Sequence, residues 1–312
     1  MKEPDDLSRH AGRRAIEWPT WIALVGCHTL WIGCLAFWDI AGPLIAVPAA
    51  IAVTFHSSLQ HEILHGHPTR SGLVNEALVS LPLGLAIPFR RFRDLHLRHH
   101  NDDRLTDPHD DPESFYLPPA EWGVLSPIGR GLFAVNATLL GRVIVGPALA
   151  LFGFWRSEVR LIRGGERRVT WAWVRHIAGV LVVLGILMSM DIPLWQYFVY
   201  AAYPGLSLIM VRSFIEHRAA IDTDHRTAVV EACGFWRLLF LNNNYHSVHH
   251  QAPNVAWYRL GGMWRAQRDQ VLQRNGGYLI SGYGEVLRRW GIRQREPVVH
   301  PLTGWDQPSD PT

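Results

Sequence analysis

Cysteine is scarce in this sequence, and its three copies form no pattern that binds metal or builds a disulfide framework. Cys27 and Cys34 lie seven positions apart in one apolar stretch, where we expect them to be small packing residues. Cys233 has no partner at a CxxC spacing. The sequence therefore implies neither a disulfide scaffold nor a cysteine-type zinc site.

Lysine and arginine are missing from two long stretches, residues 15–69 and 176–211. The remainder of the chain holds all 30 basic residues, and nearly all of them are arginine. Apolar stretches without basic residues that alternate with arginine-rich stretches are typical of a polytopic membrane protein with sizeable polar parts. The excess of arginine fits a face that meets anionic lipid head groups.

Signals for nucleic acid and for secretion are also missing. The net charge is only +3, and no basic run is interleaved with aromatic residues, so nothing points to nucleic acid. The N-terminal segment, residues 1–17, carries charges of both signs and lacks the apolar core of a signal peptide. We expect it to stay on the protein and in the cytosol.

Four stretches are apolar and long enough to cross about 30 Å of hydrocarbon as helices. They form two hairpins, at residues 18–38 with 44–60 and 171–190 with 194–210. Because Lys2, Arg9, Arg13 and Arg14 precede the first span, the N-terminus is expected in the cytosol, and four crossings return the C-terminus there.

Two further apolar stretches are too interrupted to be clean spans. Residues 73–89 contain Glu76, Pro82 and Pro88, which favours a re-entrant or interfacial segment. Residues 132–155 contain Arg142 and Pro147, which favours an amphipathic helix in the interface. The predicted fold is an all-α membrane protein with a cytosolic N-terminal segment (1–17), a membrane domain (18–260) and a cytosolic tail (261–312).

Histidines form three clusters at helical spacing. Residues three or four apart share one face of a helix, so the imidazoles within each cluster converge. Imidazole is the commonest transition-metal ligand, and so many rings exceed what one tetrahedral zinc uses, which predicts a two-metal centre. Charge bias places every cluster at the cytosolic mouth of the membrane, where they can meet. The clusters are His61 and His65; His96, His99 and His100; and His246, His249 and His250.

Neutral imidazoles without cysteine favour iron, copper, zinc or nickel over magnesium or calcium. Beside a bilayer, such a site suits oxidative attack on apolar substrates with a redox metal and O2. Removal of a second hydrogen from the attacked chain gives a double bond, whereas return of the oxygen gives an alcohol. The protein holds the metals and sets the substrate carbon against them.

The three clusters resemble the histidine boxes of the membrane-bound fatty acid desaturases, and the likeness runs from about His56 to Leu260. His217 matches an isolated histidine that this family carries after its last span. The stretches 65–69, 105–108 and 111–113 look like a small bacterial branch that includes rhizobitoxine-type desaturation. The resemblance implies two non-haem irons and nine ligands, which are His61, His65, His96, His99, His100, His217, His246, His249 and His250.

The resemblance also implies the reaction and its partners. The expected enzyme is a multi-pass protein of the bacterial inner membrane that introduces a double bond into an acyl chain or similar amphiphile. It would use O2 and take electrons from a separate protein, such as ferredoxin with its reductase, because no such segment is fused to the chain. A hydroxylase or ketolase on the same scaffold is the alternative within oxidative chemistry.

Two functions outside this chemistry are weighed against it. The stretch from His61 to His65 reads HExxH, as in a membrane zinc protease with Glu62 as general base. That interpretation accounts for one cluster and leaves the other histidines without a role. A metal transporter or sensor needs ionisable residues inside the spans, and the two stretches without lysine and arginine contain almost none.

Several other residues are candidates for roles around the metals. Some relatives carry an asparagine where this chain has Ser213, and residues 242–244 could substitute for it. His67 is more consistent with a hydrogen-bonding role than with a ligand role, and Glu62 and Glu216 adjoin proposed ligands. An acidic loop is either solvated, or orients imidazoles, or recognises a polar head group. Its acidic residues are Asp103, Asp107, Asp110, Asp111 and Glu113.

Overall fold

The computed structural model describes residues 16–101 and 104–302. The first fifteen residues, Asp103 and the end of the predicted cytosolic tail therefore lie outside the described residues. Within the described ranges the chain is mainly helical and has one pair of two-residue parallel strands. The predicted all-α membrane fold is confirmed at this level.

The helices of the membrane half are α1 (Trp18–Ala36), α2 (Trp38–Ala41), α3 (Ala46–Leu64), α4 (Gly72–Leu78), α5 (Phe89–His100), α6 (Pro119–Val124), α7 (Pro127–Asn136), α8 (Leu139–Arg163), α9 (Arg167–Ser189), α10 (Leu194–Tyr197) and α11 (Tyr203–Glu216). The remaining elements are β1 (Val229–Val230), α12 (Gly234–Leu239), α13 (His246–Gln251), α14 (Trp257–Arg274), β2 (Leu279–Ile280) and α15 (Tyr283–Trp290).

Five helical stretches among the described residues are long and apolar enough to cross a membrane. Four of them, α1, α2 with α3, α9, and α10 with α11, occupy the four predicted spans. The fifth is α8, which was expected as an interfacial helix over residues 132–155. It begins only at Leu139, because Thr138 caps it with a hydrogen bond from the Gly141 N–H at 3.0 Å, and it continues to Arg163.

The apolar stretch 73–89 does not form a long helix. It contains only α4, after which residues 79–88 run irregularly until α5 begins. Non-helical backbone at membrane depth needs partners for its polar groups. Side chains from three helices donate to its carbonyl oxygens: Tyr197 to Leu83 at 2.8 Å, His176 to Leu85 at 2.9 Å and Trp155 to Ala86 at 3.0 Å.

Helix α3 packs against both α1 and α11 and carries the first histidine cluster out of the apolar core. Small residues let α3 and α11 approach closely, as is common between membrane helices. A Cβ atom at Gly205 would lie 2.5 Å from Val53 Cγ1, so only glycine fits there. The Thr54 hydroxyl donates to the Gly205 carbonyl at 3.0 Å across this contact. The register of α3 against α11 is thereby set close to the histidines.

The polar half of the chain folds over the ends of these helices. Strand β1 pairs with β2 and also holds the segment before α13, because Val230 and Asn244 exchange two hydrogen bonds at 2.7 and 2.8 Å. The Ser247 N–H donates to the Ala228 carbonyl at 2.9 Å. These contacts fix the third histidine cluster against the segment that follows α11.

Candidate metal centre

Four separate parts of the chain deliver the histidines. His61 lies in the last turn of α3 and His65 caps its end, while the second cluster forms the last turns of α5. His217 follows α11 in an extended conformation, which turns its ring back toward the other imidazoles. The third cluster occupies most of α13. All nine histidines implied by the resemblance therefore meet at one place.

The imidazoles divide into two groups, within each of which the potential ligand atoms lie within 4.8 Å of one another. The groups adjoin, since the rings of His100 and His250 stack with centroids 4.2 Å apart. The first histidine group is His61, His65, His96, His100 and His249, and the second histidine group is His99, His217, His246 and His250.

Nitrogen atoms within each group face one another at similar separations. In the first group, Nε2 of His100 is 3.0 Å from Nε2 of His96 and 3.1 Å from Nε2 of His249. In the second group, Nε2 of His217 is 2.9 Å from that of His246 and 3.1 Å from that of His99. Two metal–nitrogen bonds of about 2.1 Å at a right angle place their nitrogens about 3.0 Å apart. The separations fit a metal in each group.

Unpaired buried nitrogens give a second test of fit. Nε2 of His61 and Nε2 of His65 are buried and have no hydrogen-bond partner in the described protein. A buried polar atom without a partner is costly, and a metal ion bound to its lone pair would remove that cost. The donor set of both groups is nitrogen only, which suits a transition metal rather than magnesium or calcium.

Burial keeps most of these rings neutral, the form that binds metal. Desolvation, helped by neighbouring imidazoles, lowers the pKa of His217, His246, His249 and His250 well below the usual value, and lowers that of His65 to about 3. His99 is the exception. Burial opposes its protonation, but the charge of Glu113 and the hydrogen bond and charge of Asp111 raise its pKa to about 9.

Two carboxylates of the acidic loop orient the α5 imidazoles. Nδ1 of His99 lies 2.7 Å from Oδ1 of Asp111, and Nδ1 of His96 lies 2.7 Å from Oε1 of Glu113. Asp111 is itself held by the Thr106 N–H at 2.7 Å. A ring that donates through Nδ1 presents Nε2 to a metal in a fixed direction. Asp111 and Glu113 therefore orient imidazoles, which is one of the three roles that the sequence left open for the loop.

Asp107 and Asp110, the other acidic residues of the loop that the structure describes, do not contact the histidine groups. Asp107 accepts hydrogen bonds from the backbone of His109 at 2.7 Å and of Asp110 at 3.1 Å, which shapes the turn. Asp110 pairs with Arg104 at 2.9 Å. His109 is exposed, as expected for a solvated residue.

A polar network supports His246 from behind. Its Nδ1 lies 3.2 Å from Oδ1 of Asn243 and 3.3 Å from Oε1 of Glu216, and Arg212 lies 3.0 Å from the same glutamate oxygen. Among the three asparagines only Asn243 reaches a histidine ring, whereas Asn242 and Asn244 bond to the backbone of Trp257 and Val230. The Ser213 hydroxyl turns toward Met210.

His67 and Glu62 lie in a separate buried cluster with Glu17. Nδ1 of His67 is 2.9 Å from the Glu17 carboxylate, and Nε2 is 3.2 Å from the Asn254 carbonyl. Oε1 of Glu62 accepts a hydrogen bond from the Trp257 N–H at 3.1 Å. This cluster joins the start of α1, the end of α3 and the loop after α13, and none of its side chains belongs to either histidine group.

Arg295 contacts a proposed metal ligand, and nothing in the sequence indicated this contact. Its Nη2 donates to the His217 carbonyl at 2.6 Å and its Nη1 to the Tyr278 hydroxyl at 2.7 Å. Arg295 lies after α15 and is 78 positions from His217 in the chain. It belongs to no motif, so no sequence signal pointed to it.

The fold and the histidine groups together define a helical membrane protein with a nitrogen-rich centre able to hold two transition metals. A family profile described as "Fatty acid desaturase" matches residues 37–282, and the chain belongs to that family. The family makes it an oxidoreductase of the desaturase or hydroxylase type that modifies fatty acids. No individually curated protein matches the chain significantly.

Proposed function

We propose that the protein is a membrane di-iron desaturase that introduces a double bond into an acyl chain or a similar amphiphile. It uses O2 and takes electrons from a separate protein, such as ferredoxin with its reductase. The observation that carries the proposal is the division of nine converging imidazoles into two groups whose nitrogens face one another at about 3 Å.

The residues of the chain set up the chemistry before any substrate arrives. Asp111 and Glu113 hold Nδ1 of His99 and His96, so that Nε2 of each ring points into its group. Asn243 and Glu216 do the same for His246. Two bound irons would supply the redox chemistry that removes hydrogen from an unactivated carbon. Because most of the rings are buried, little bulk water can reach their metal-binding nitrogens.

A cavity lined by Leu64 and Gly66, the chain neighbours of His65, supports an amphiphilic substrate. It has a volume of about 650 Å³ and lies between the end of α3, α4 and the start of α5. Such volumes are typical of small-molecule sites, which range over about 300–1,000 Å³. Ile63, Leu64 and Phe89 line it together with Arg70 and Arg93. Glu76 also lines it, but this carboxylate is paired with Arg90 at 2.6 Å. This lining suits a chain with an anionic end.

The contact between His99 and His217 supports four membrane spans rather than five. The two rings lie 3.1 Å apart and so are on the same side of the membrane. Three apolar helical stretches, α8, α9, and α10 with α11, separate them in the chain, and only an even number can cross. Helix α8 carries a buried Arg142 and ends in exposed arginines, so we place it in the interface.

Sidedness follows from the basic residues. With α1 and α3 as one hairpin and α9 and α11 as the other, the histidine groups lie on the side of the N-terminal segment. That segment carries Lys2, Arg9, Arg13 and Arg14, which supports the cytosol as this side. A bacterial inner membrane is part of the proposal and rests on the resemblance to a bacterial branch of the family.

The reaction is tested by expression in a host that lacks the activity, followed by mass spectrometry of lipids and polar metabolites. A product that has lost two hydrogens identifies desaturation, and one that has gained an oxygen identifies the hydroxylase alternative. Metal analysis of the purified protein should find two irons per chain. One zinc per chain and no oxidised product would contradict the proposal.

The zinc protease interpretation of HExxH loses support from the position of Glu62. A general base must face the metal, whereas the Glu62 carboxylate is bonded to the Trp257 N–H and lies 3.9 Å from His67. His61 and His65 also belong to a group of five imidazoles, where a catalytic zinc keeps three protein ligands and an open position.

A further inference from the structure

A small cavity outside the histidine groups is lined by two arginines and only one carboxylate. It lies between α7, the start of α8 and the segment after α15, and its charged lining residues are Arg142, Arg295 and Glu296. Two guanidinium cations and one carboxylate leave one positive charge unbalanced. Charged groups that are removed from water are normally paired, so this surplus needs an explanation.

Arg142 is the less satisfied of the two arginines. It is only 7% exposed, and its Nε donates to the Asn136 carbonyl at 3.0 Å. Within the described residues no carboxylate lies within 4.0 Å of its guanidinium, and the Nε contact with Asn136 is its one hydrogen bond there. Glu296 does not supply one, since it accepts a hydrogen bond from the Tyr116 hydroxyl at 3.0 Å.

Aromatic rings hold the two guanidiniums near each other. The Arg142 guanidinium carbon is 5.1 Å from the ring centroid of Phe115 and 5.9 Å from that of Phe214. The Arg295 guanidinium carbon is 5.2 and 5.4 Å from the same two centroids. Ring faces attract cations but carry no net charge, so they do not neutralise the pair.

Asn136 gives an independent sign of a missing ligand. Its side chain lines the cavity, and its Oδ1 is buried without a hydrogen-bond partner. As placed, this acceptor oxygen would repel an anion, so an anion requires the amide rotated by 180°, which turns its NH2 group toward the cavity. Gly146 makes the arrangement possible, because a Cβ atom there would lie 2.8 Å from Arg142 Cδ and 3.1 Å from Asn136 Oδ1.

We propose that this cavity binds one small inorganic monoanion of the chloride class, held by Arg142 with Asn136 and Arg295 beside it. The cavity volume of about 10 Å³ is close to that needed by one water molecule, so chloride fits only with a small outward shift of the lining side chains, and phosphate and carboxylate head groups are excluded. The anion would balance the surplus charge and tie the start of α8 to Arg295. Arg295 donates to the His217 carbonyl at 2.6 Å. The anion would therefore also help to fix the backbone position of His217, a member of the second histidine group.

The test compares thermal unfolding of the purified full-length protein in sodium chloride and in sodium gluconate at equal ionic strength. A ligand that binds only the folded state raises the midpoint saturably, here by on the order of 2–4 °C. Line broadening in chloride NMR measures binding directly. Gluconate is too large for the cavity and should have no effect. Equal responses to both anions would overturn the proposal.

Three variants separate a bound anion from a general salt effect. Arg142→Gln removes the binding cation and should abolish both the shift and the line broadening. Asn136→Asp places a carboxylate next to Arg142, so this variant should be as stable in gluconate as the wild type is in chloride and should no longer respond. Arg160→Gln removes an exposed arginine of the same helix and should respond like the wild type. If Arg142→Gln does not fold, Asn136→Asp decides, and a full chloride response in that variant contradicts the proposal.

Discussion

The two histidine groups differ in how their rings are supported. In the second group, His99 is held by Asp111, whose side chain is 1% exposed, and His246 is held by the buried Asn243 and Glu216. In the first group, the acid behind His96 is Glu113, whose side chain is 34% exposed. The second group is therefore the rigid group, with buried carboxylate support, whereas the first group has a support that water reaches and is the metal-dependent group.

The largest effect is expected from removal of a ring in the rigid group. His99→Ala should abolish the oxidised product and lower the bound iron, because it deletes one of only four imidazoles in that group. Product mass spectrometry and metal analysis of the same preparation measure both effects. Retained turnover would count heavily against the proposed centre.

Removal of the buried charge behind His99 should be the next largest effect. Asp111→Asn keeps an oxygen near Nδ1 but loses the carboxylate, and changes of this kind weaken metal binding by about 10–100-fold. Iron retained during dialysis against a graded chelator measures the affinity. Asp110→Asn is the matched control, because Asp110 lies next to Asp111 and contacts Arg104 rather than a histidine.

Glu113→Gln tests the more exposed support in the same assay. Water already screens Glu113, so we expect a loss of iron affinity that is clearly smaller than that of Asp111→Asn. A loss equal to or greater than that of Asp111→Asn would remove the distinction between the rigid and the metal-dependent group.

Glu62→Gln should leave iron content and product unchanged. A glutamine oxygen can still accept the Trp257 N–H, which is the contact that Glu62 makes at 3.1 Å. The same metal and product measurements apply. Complete loss of product with the metal retained would contradict this and would give Glu62 a direct role in the oxidative reaction.

A small effect, on stability alone, is expected at Glu285, an acid outside both histidine groups. Hydrogen bonds from the Ser281 N–H and from Arg289 lower the pKa of Glu285 from 4.5 to about 2. Its stabilising contribution is therefore present above about pH 4.5 and is lost as the pH falls towards 2. Glu285→Gln should cost about 0.5–1 kcal/mol near neutral pH, because solvent screens this pair. Chemical unfolding at pH 7 and pH 3 should show the difference shrinking at the lower pH.

The sequence predicted those parts that depend on local periodicity. His96, His99 and His100 are spaced for one face of a helix, and α5 places them so. The four predicted spans appear as apolar helices because composition over about 20 residues is a strong signal. Sequence also marked Asp111 and Glu113, but only their turn geometry shows that they reach imidazoles.

Features that depend on distant contacts could not be predicted. A continuous apolar run hid the break between α7 and α8, which depends on Thr138 as a cap. Asn243 was one of three equivalent candidates, and only its contacts with Glu216 and His246 single it out. The proximity of Arg142 and Arg295 arises from packing of α8 against the segment after α15, and neither residue lies in a motif.

The irregular segment at residues 79–88 has a consequence for biosynthesis. The donors for three of its carbonyl groups come from α8, α9 and α10, all of which are made later. Until those helices reach the membrane, the segment cannot leave water without leaving carbonyl groups unpaired. The first two histidine clusters therefore cannot reach their final positions early in synthesis. The two histidine groups can form only after the second hairpin has been translated.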